Sequence, residues 1–71
     1  MIAVRFSEHQ RYDITRDCDT RTMVATTPIG SYWAEIVDEG TAKYRESKER
    51  FKQSVVECIE RDIAPREIDL A

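Results

Sequence analysis

Two cysteines, a single histidine and fourteen carboxylates are the side chains of this 71-residue chain that could move protons, hold metals or form covalent intermediates. A nucleophilic cysteine needs an electropositive setting that favours the thiolate. Cys18 lies between Asp17 and Asp19, which oppose that form, and Cys58 falls on the apolar side of a helical stretch. No serine stands in a GxSxG turn where His9 might serve it as a base. With Gly30 and Gly40 as the only glycines, no phosphate-cradling loop can form. No base–nucleophile pair emerges, so the expectation is a protein that is not an enzyme and uses no cofactor. Metal ligation is no better supplied, because neither CxxC nor HxxxH spacing occurs. Asp13, Asp17 and Asp19 come nearest to a hard-cation set. The run Asp17-Cys18-Asp19-Thr20-Arg21-Thr22 nevertheless lacks the third oxygen ligand and the glycine of a calcium loop.

Binding chemistry is better represented. Arg5, Arg11 and Arg21 occupy odd positions, opposite in parity to Ile2, Val4, Phe6, Tyr12 and Ile14. This spacing predicts that the three arginines share the outer face of a sheet, together with Trp33. Basic residues interleaved with an aromatic can hold a nucleic-acid strand. Charge opposes that use: the first forty residues carry four arginines against seven acids, and the whole chain is at −3. A chain of that sign has no general attraction for phosphate. Nucleic-acid binding through Arg5, Arg11, Arg21 and Trp33 therefore stands as the alternative.

The first expectation comes from residues 41–71. Lys43, Arg45, Lys48, Arg50 and Lys52 outweigh Glu46 and Glu49, and beyond them Glu57, Glu60, Asp62, Glu67 and Asp69 outweigh Arg61 and Arg66. The order is the reverse of what a helix dipole favours, since cations belong near the C-terminal end. Two copies lying antiparallel, basic half against acidic half, would satisfy both halves and cover apolar surface that a thin sheet leaves open. The residues expected at such a contact are Tyr44, Lys48, Lys52, Val56, Glu60 and Ile63.

The elements that must position these groups follow from hydrophobic period. Ile2, Val4 and Phe6 alternate with Ala3 and Arg5, and Tyr12 and Ile14 continue the alternation, as one bent strand or two short ones. Arg16–Thr20 is rich in turn-forming aspartate. Residues 21–27 are rich in β-branched side chains (Thr22, Val24, Thr26, Thr27), Pro28-Ile29-Gly30 interrupts them, and 31–37 form the next strand. Asp38 or Thr41 is expected to cap a helix over about 41–63. Its apolar face holds Tyr44, Phe51, Val55, Cys58 and Ile59, with Val56 and Ile63 at the margin, and Pro65 ends it. The fold class is α+β, an antiparallel sheet of three to four strands over about residues 1–37 packed by one long C-terminal amphipathic helix. Either the sheet face with Tyr32, Ala34 and Ile36 or the one with Trp33 and Val37 can meet that helix. Residues 64–71 read as a flexible tail or as an extended segment lying against something.

A chain this short is one domain with a thin core, for which oligomerisation is the remaining support. With no run of about 18 apolar residues and two thiols, it reads as a cytoplasmic protein with no membrane partner. In size and composition, though in no motif, it is similar to the short accessory proteins of phages and mobile elements, which often act by occluding a host enzyme. The functional expectation is thus a non-enzymatic protein–protein interaction module, a homodimer that regulates or inhibits a larger protein.

Overall fold

The computed structural model describes residues 3–70; Met1, Ala71 and Ile2, the last expected above in the first strand, lie outside the described residues. Three strands and one helix follow in order: β1 (Arg5–Asp13), β2 (Cys18–Thr27), β3 (Gly30–Val37) and α1 (Thr41–Glu60). The strands form an antiparallel meander in the order β1-β2-β3, so the fold is α+β with a three-stranded sheet.

Both hairpins are explained by local side chains. The Asp13 carboxylate accepts bonds from the Thr15 and Arg16 amides at 2.9 and 3.3 Å, which bends the chain. Asp17 then adopts φ 52°, a left-handed conformation that aspartate tolerates. The reversal therefore precedes the expected 16–20 turn, and β2 begins at Cys18. In the second hairpin, the Thr27 hydroxyl accepts from Ile29 N at 3.3 Å and donates to Gly30 O at 2.7 Å, closing Pro28-Ile29. Gly30 is required twice over: its φ is 139°, and a Cβ there would stand 2.9 Å from Pro65 Cγ.

The helix lies on the face carrying Tyr32, Ala34 and Ile36. Met23, Ala25, Tyr32 and Ala34 from the sheet enclose a core with Tyr44, Phe51, Val55 and Ile68. At the start of α1 the expected cap is not formed. Asp38 bonds the Gly40 amide at 3.2 Å, so its carboxylate shapes the approach, while Gly40 takes the N-cap position with no side-chain bond. The far end also departs from expectation, since α1 stops at Glu60 and not near Ile63. Asp62 has φ 57°, its amide bonds Ile59 O at 3.2 Å, and Ile63 N bonds Cys58 O at 2.8 Å. These are the paired bonds of a Schellman motif with aspartate in the place glycine usually takes. Local capping ends the helix before Pro65 can act.

Past that turn the chain docks back on the sheet. Trp33 N bonds Arg66 O at 3.3 Å and Ile68 N bonds Trp33 O at 2.7 Å, a parallel bridge between Trp33 and Glu67. Ile68 is only 9% exposed and belongs to the core. A parallel partner needs a crossover, and α1 supplies it. Its 20 residues span ~30 Å, close to the ~26 Å of the eight-residue strand β3. The helix is thus long enough to carry the chain back along the whole of β3.

Candidate functional site

In both ladders antiparallel partners have opposite parity, and directly paired residues share a face. Odd positions of β1 and β3 therefore lie with even positions of β2 on the side away from α1. That outer face carries the rows Ser7–Val24–Trp33, His9–Thr22–Glu35 and Arg11–Thr20–Val37. Arg5 stands at one end of it, opposite Thr26. Arg16 crosses the other end, with Nε 2.7 Å from Asp13 Oδ2 and Nη2 2.9 Å from Glu35 Oε1. Trp33 is 42% exposed and Val37 is also open to solvent.

Of the four residues expected on this face, Arg5, Arg11 and Trp33 are there and Arg21 is not. Parity carried over from β1 misplaced it, because each hairpin inverts parity. Arg21 turns towards the helix, its guanidinium carbon 4.3 Å from the centre of the Tyr44 ring and its Nε 3.5 Å from Asp38 Oδ2. There it joins a polar clamp between sheet and helix. The Tyr44 hydroxyl donates to the Glu8 carboxylate, which also lies 3.6 Å from Lys48 Nζ. The hydrogen bond from Tyr44, aided by Lys48, holds Glu8 below the usual carboxylate range. Burial, then the bond to Glu8, pushes the Tyr44 phenol up to about 12.

The expected helix contact line is divided by these interactions. Tyr44 is in the core, Lys48 is paired with Glu8, and Lys52 Nζ stands 5.5 Å from the Phe6 ring centre. Val56 (49% exposed) and Glu60 remain open. Ile63 has left the helix, and its carbonyl accepts the Tyr32 hydroxyl.

A surface that the sequence reading missed is the free edge of β1. Every residue of β1 except Asp13 is exposed, and among the described residues β2 is its sole neighbour in the sheet. The signal was available, because the first strand of a meander is an edge strand and this one contains neither proline nor glycine. Between β3, the helix and the docked segment runs an open groove of about 710 Å³, where Glu35, Glu39 and Glu67 mix with Lys43, Arg50 and Arg66. With Asp69 also in the lining, four acids stand against three bases, so the groove has charges of both signs and only a small acidic excess. Among the described residues no group of three or more His, Cys, Asp or Glu is gathered for a metal ion. Cys18 and Cys58 are free thiols, and no helix of the described residues is long and apolar enough to cross a membrane. The chain matches no known family model, no curated protein and no solved structure.

Proposed function

We propose that this chain is a non-enzymatic protein-interaction module, a homodimer that regulates or inhibits a larger protein in the manner of phage and mobile-element accessory proteins. The observation that carries the proposal is the uncovered outer face of the sheet. Trp33 stands there as a part-exposed aromatic beside Val24 and next to Glu35, with Val37 and Arg11 in the row beyond Glu35 and Arg5 at the opposite end of the face. An aromatic anchor inside a charged rim is the usual anatomy of a protein contact surface. The free thiols support a reducing, cytoplasmic setting. The test is affinity capture from the native host, followed by purification of the captured protein and titration with wild type and Trp33→Ala. Loss of an anchor should weaken binding by tenfold or more, about 1.4 kcal/mol or above. Equal affinity of the variant would remove the outer face from consideration.

A second reading uses the same face. Arg5, Arg11 and Trp33 lie on it together with His9, which favours a single-stranded nucleic acid stacked on the indole. The chain's charge of −3 works against this. A low-salt mobility shift of labelled DNA or RNA that vanishes in Arg5→Ala/Arg11→Ala would select it.

A further inference from the structure

From the free edge of β1 we infer that the second copy of this chain docks there, strand to strand and antiparallel, with the two-fold axis at His9. The inference rests on the homodimer reading and specifies its surface and register.

Hydrogen-bond directions identify what the edge offers. Trp33 turns both its N–H and its C=O to the C-terminal segment, and Asp38 N bonds Asp19 O at 2.9 Å. Odd residues of β2 thus bond towards β3, leaving even residues of β2 to bond the odd residues of β1. It follows that Phe6, Glu8, Gln10 and Tyr12 aim their backbone N–H and C=O groups away from the sheet. The β1–β2 register runs without a bulge from Arg5 to Asp13, so this row is regular. A regular exposed edge is a template for another strand.

The sequence of β1 is complementary to its own reverse. Arg5-Phe6-Ser7-Glu8-His9-Gln10-Arg11-Tyr12-Asp13 has His9 at its midpoint, so full overlap of two copies places His9 opposite His9. In that register Phe6 faces Tyr12 and Glu8 faces Gln10 as the hydrogen-bonded pairs, which is the phase that the outward groups require. Arg5 faces Asp13 at both ends, an opposite-charge pair on the outer face. Of the two neighbouring registers that keep the same phase, the one centred on Glu8 sets Arg5 against Arg11 and is repelled, and the one centred on Gln10 loses both Arg5–Asp13 pairs and sets His9 against Arg11. Phe6 and Tyr12, 40% and 54% exposed, would bury each other. Phe6 already meets Phe51 edge-on at 6.3 Å, so the partner's Tyr12 would complete an aromatic row. Two arginines and two acids leave the strand neutral, and the overall −3 does not concentrate at the contact.

The product is a continuous six-stranded sheet with both helices on one face. Tyr44 lies over Glu8, next to the axis, and Phe51 over Phe6, further from it. The helices therefore begin near the axis and lead away from it. This dimer does not need the pairing of basic and acidic helix halves expected from the sequence.

Light scattering on the full chain should give twice the 8.3 kDa mass. Gln10→Pro removes an outward N–H without touching the β1–β2 ladder, and it should weaken the dimer at least tenfold while the circular dichroism spectrum stays native. Under mild oxidation His9→Cys should cross-link to itself, as verified by peptide mapping against native Cys18 and Cys58. Ser7→Cys should cross-link only when mixed with Arg11→Cys. A wild-type monomer would overturn the homodimer reading and this inference together. A wild-type dimer that survives Gln10→Pro but dissociates in Val56→Asp would overturn the β1 contact and keep the homodimer. Cross-linking of Ser7→Cys to itself would overturn the register.

Discussion

The two edges of the sheet are treated differently. On the β3 side, Ile68 is driven into the core and Trp33 is hydrogen-bonded on both its backbone groups by the returning chain. On the β1 side no backbone neighbour is present beyond β2 among the described residues. There side chains hold the strand to the helix: the Phe6–Phe51 ring contact, Lys52 over the Phe6 ring and the Tyr44–Glu8–Lys48 clamp. The closed edge is maintained by apolar burial, the open one by polar and aromatic contacts at the rim. Substitutions on the two sides should accordingly differ in size and in what they respond to.

The largest effect is expected at Ile68. Ile68→Ala removes a buried aliphatic side chain and loosens the segment over β3, at a cost of about 3 kcal/mol by urea denaturation. A loss below about 1 kcal/mol would mean that the β3 edge is not held by this segment. Gly30→Ala follows, because it combines an unfavourable φ of 139° with the 2.9 Å approach to Pro65 Cγ. The expected cost is about 2 kcal/mol, with part of it recovered in Gly30→Ala/Pro65→Ala. Strict additivity in that cycle would show that the hairpin and the returning chain are not coupled.

On the β1 side Tyr44→Phe should cost about 1 kcal/mol at neutral pH, the usual scale for one lost hydrogen bond. Its pH signature is more telling. The folded state raises the Tyr44 phenol from 10.0 to about 12, so the phenol's contribution is complete below 10.0 and is lost as pH climbs towards about 12. Glu8 is lowered from 4.5, so its contribution is present above that value and is lost as pH falls through the lower folded value. Urea midpoints should fall at both extremes in the wild type, and Tyr44→Phe should shallow both slopes. Slopes unchanged in the variant would remove the clamp from the account. Val56→Asp is expected to be smallest, within about 0.5 kcal/mol, because the side chain is 49% exposed on the helix and belongs to neither edge.

Much of this architecture was legible from residue order, and the gaps have definable causes. Pro28-Ile29-Gly30 marked its hairpin, and the alternation from Ser31 to Val37 marked β3, because turn chemistry and a two-residue period act locally. The spacing of Tyr44, Phe51 and Val55 named the buried helix stripe for the same reason. Arg21 was misplaced because side-chain parity belongs to a single strand, and the hairpin that resets it moved when Asp13 seized the turn. The helix end was misplaced because aspartate at position 62 does the work of a glycine, which composition does not reveal. Ile68 and Leu70 showed the alternation of a strand, yet only the return path of α1 tells which edge they meet. The outer face was anticipated in three of its four residues; the β1 edge was legible from the meander pattern, whereas which of its backbone groups aim outward needed the hydrogen-bond phase.

The pairing of Trp33 with Glu67 also has a consequence in time. The two hairpins bring together residues close in sequence, whereas this bridge waits until the helix has carried the chain back across the sheet. The bridge closes a longer loop than any pairing within the two hairpins, and closing a longer loop costs more entropy. Where the two local hairpins close first, the meander stands with both flanks bare until the last segment docks. In that interval the β3 flank, later occupied by the chain's own Ile68, is accessible to a neighbouring molecule. The rate at which the last segment settles therefore governs how long nascent molecules remain prone to mispairing.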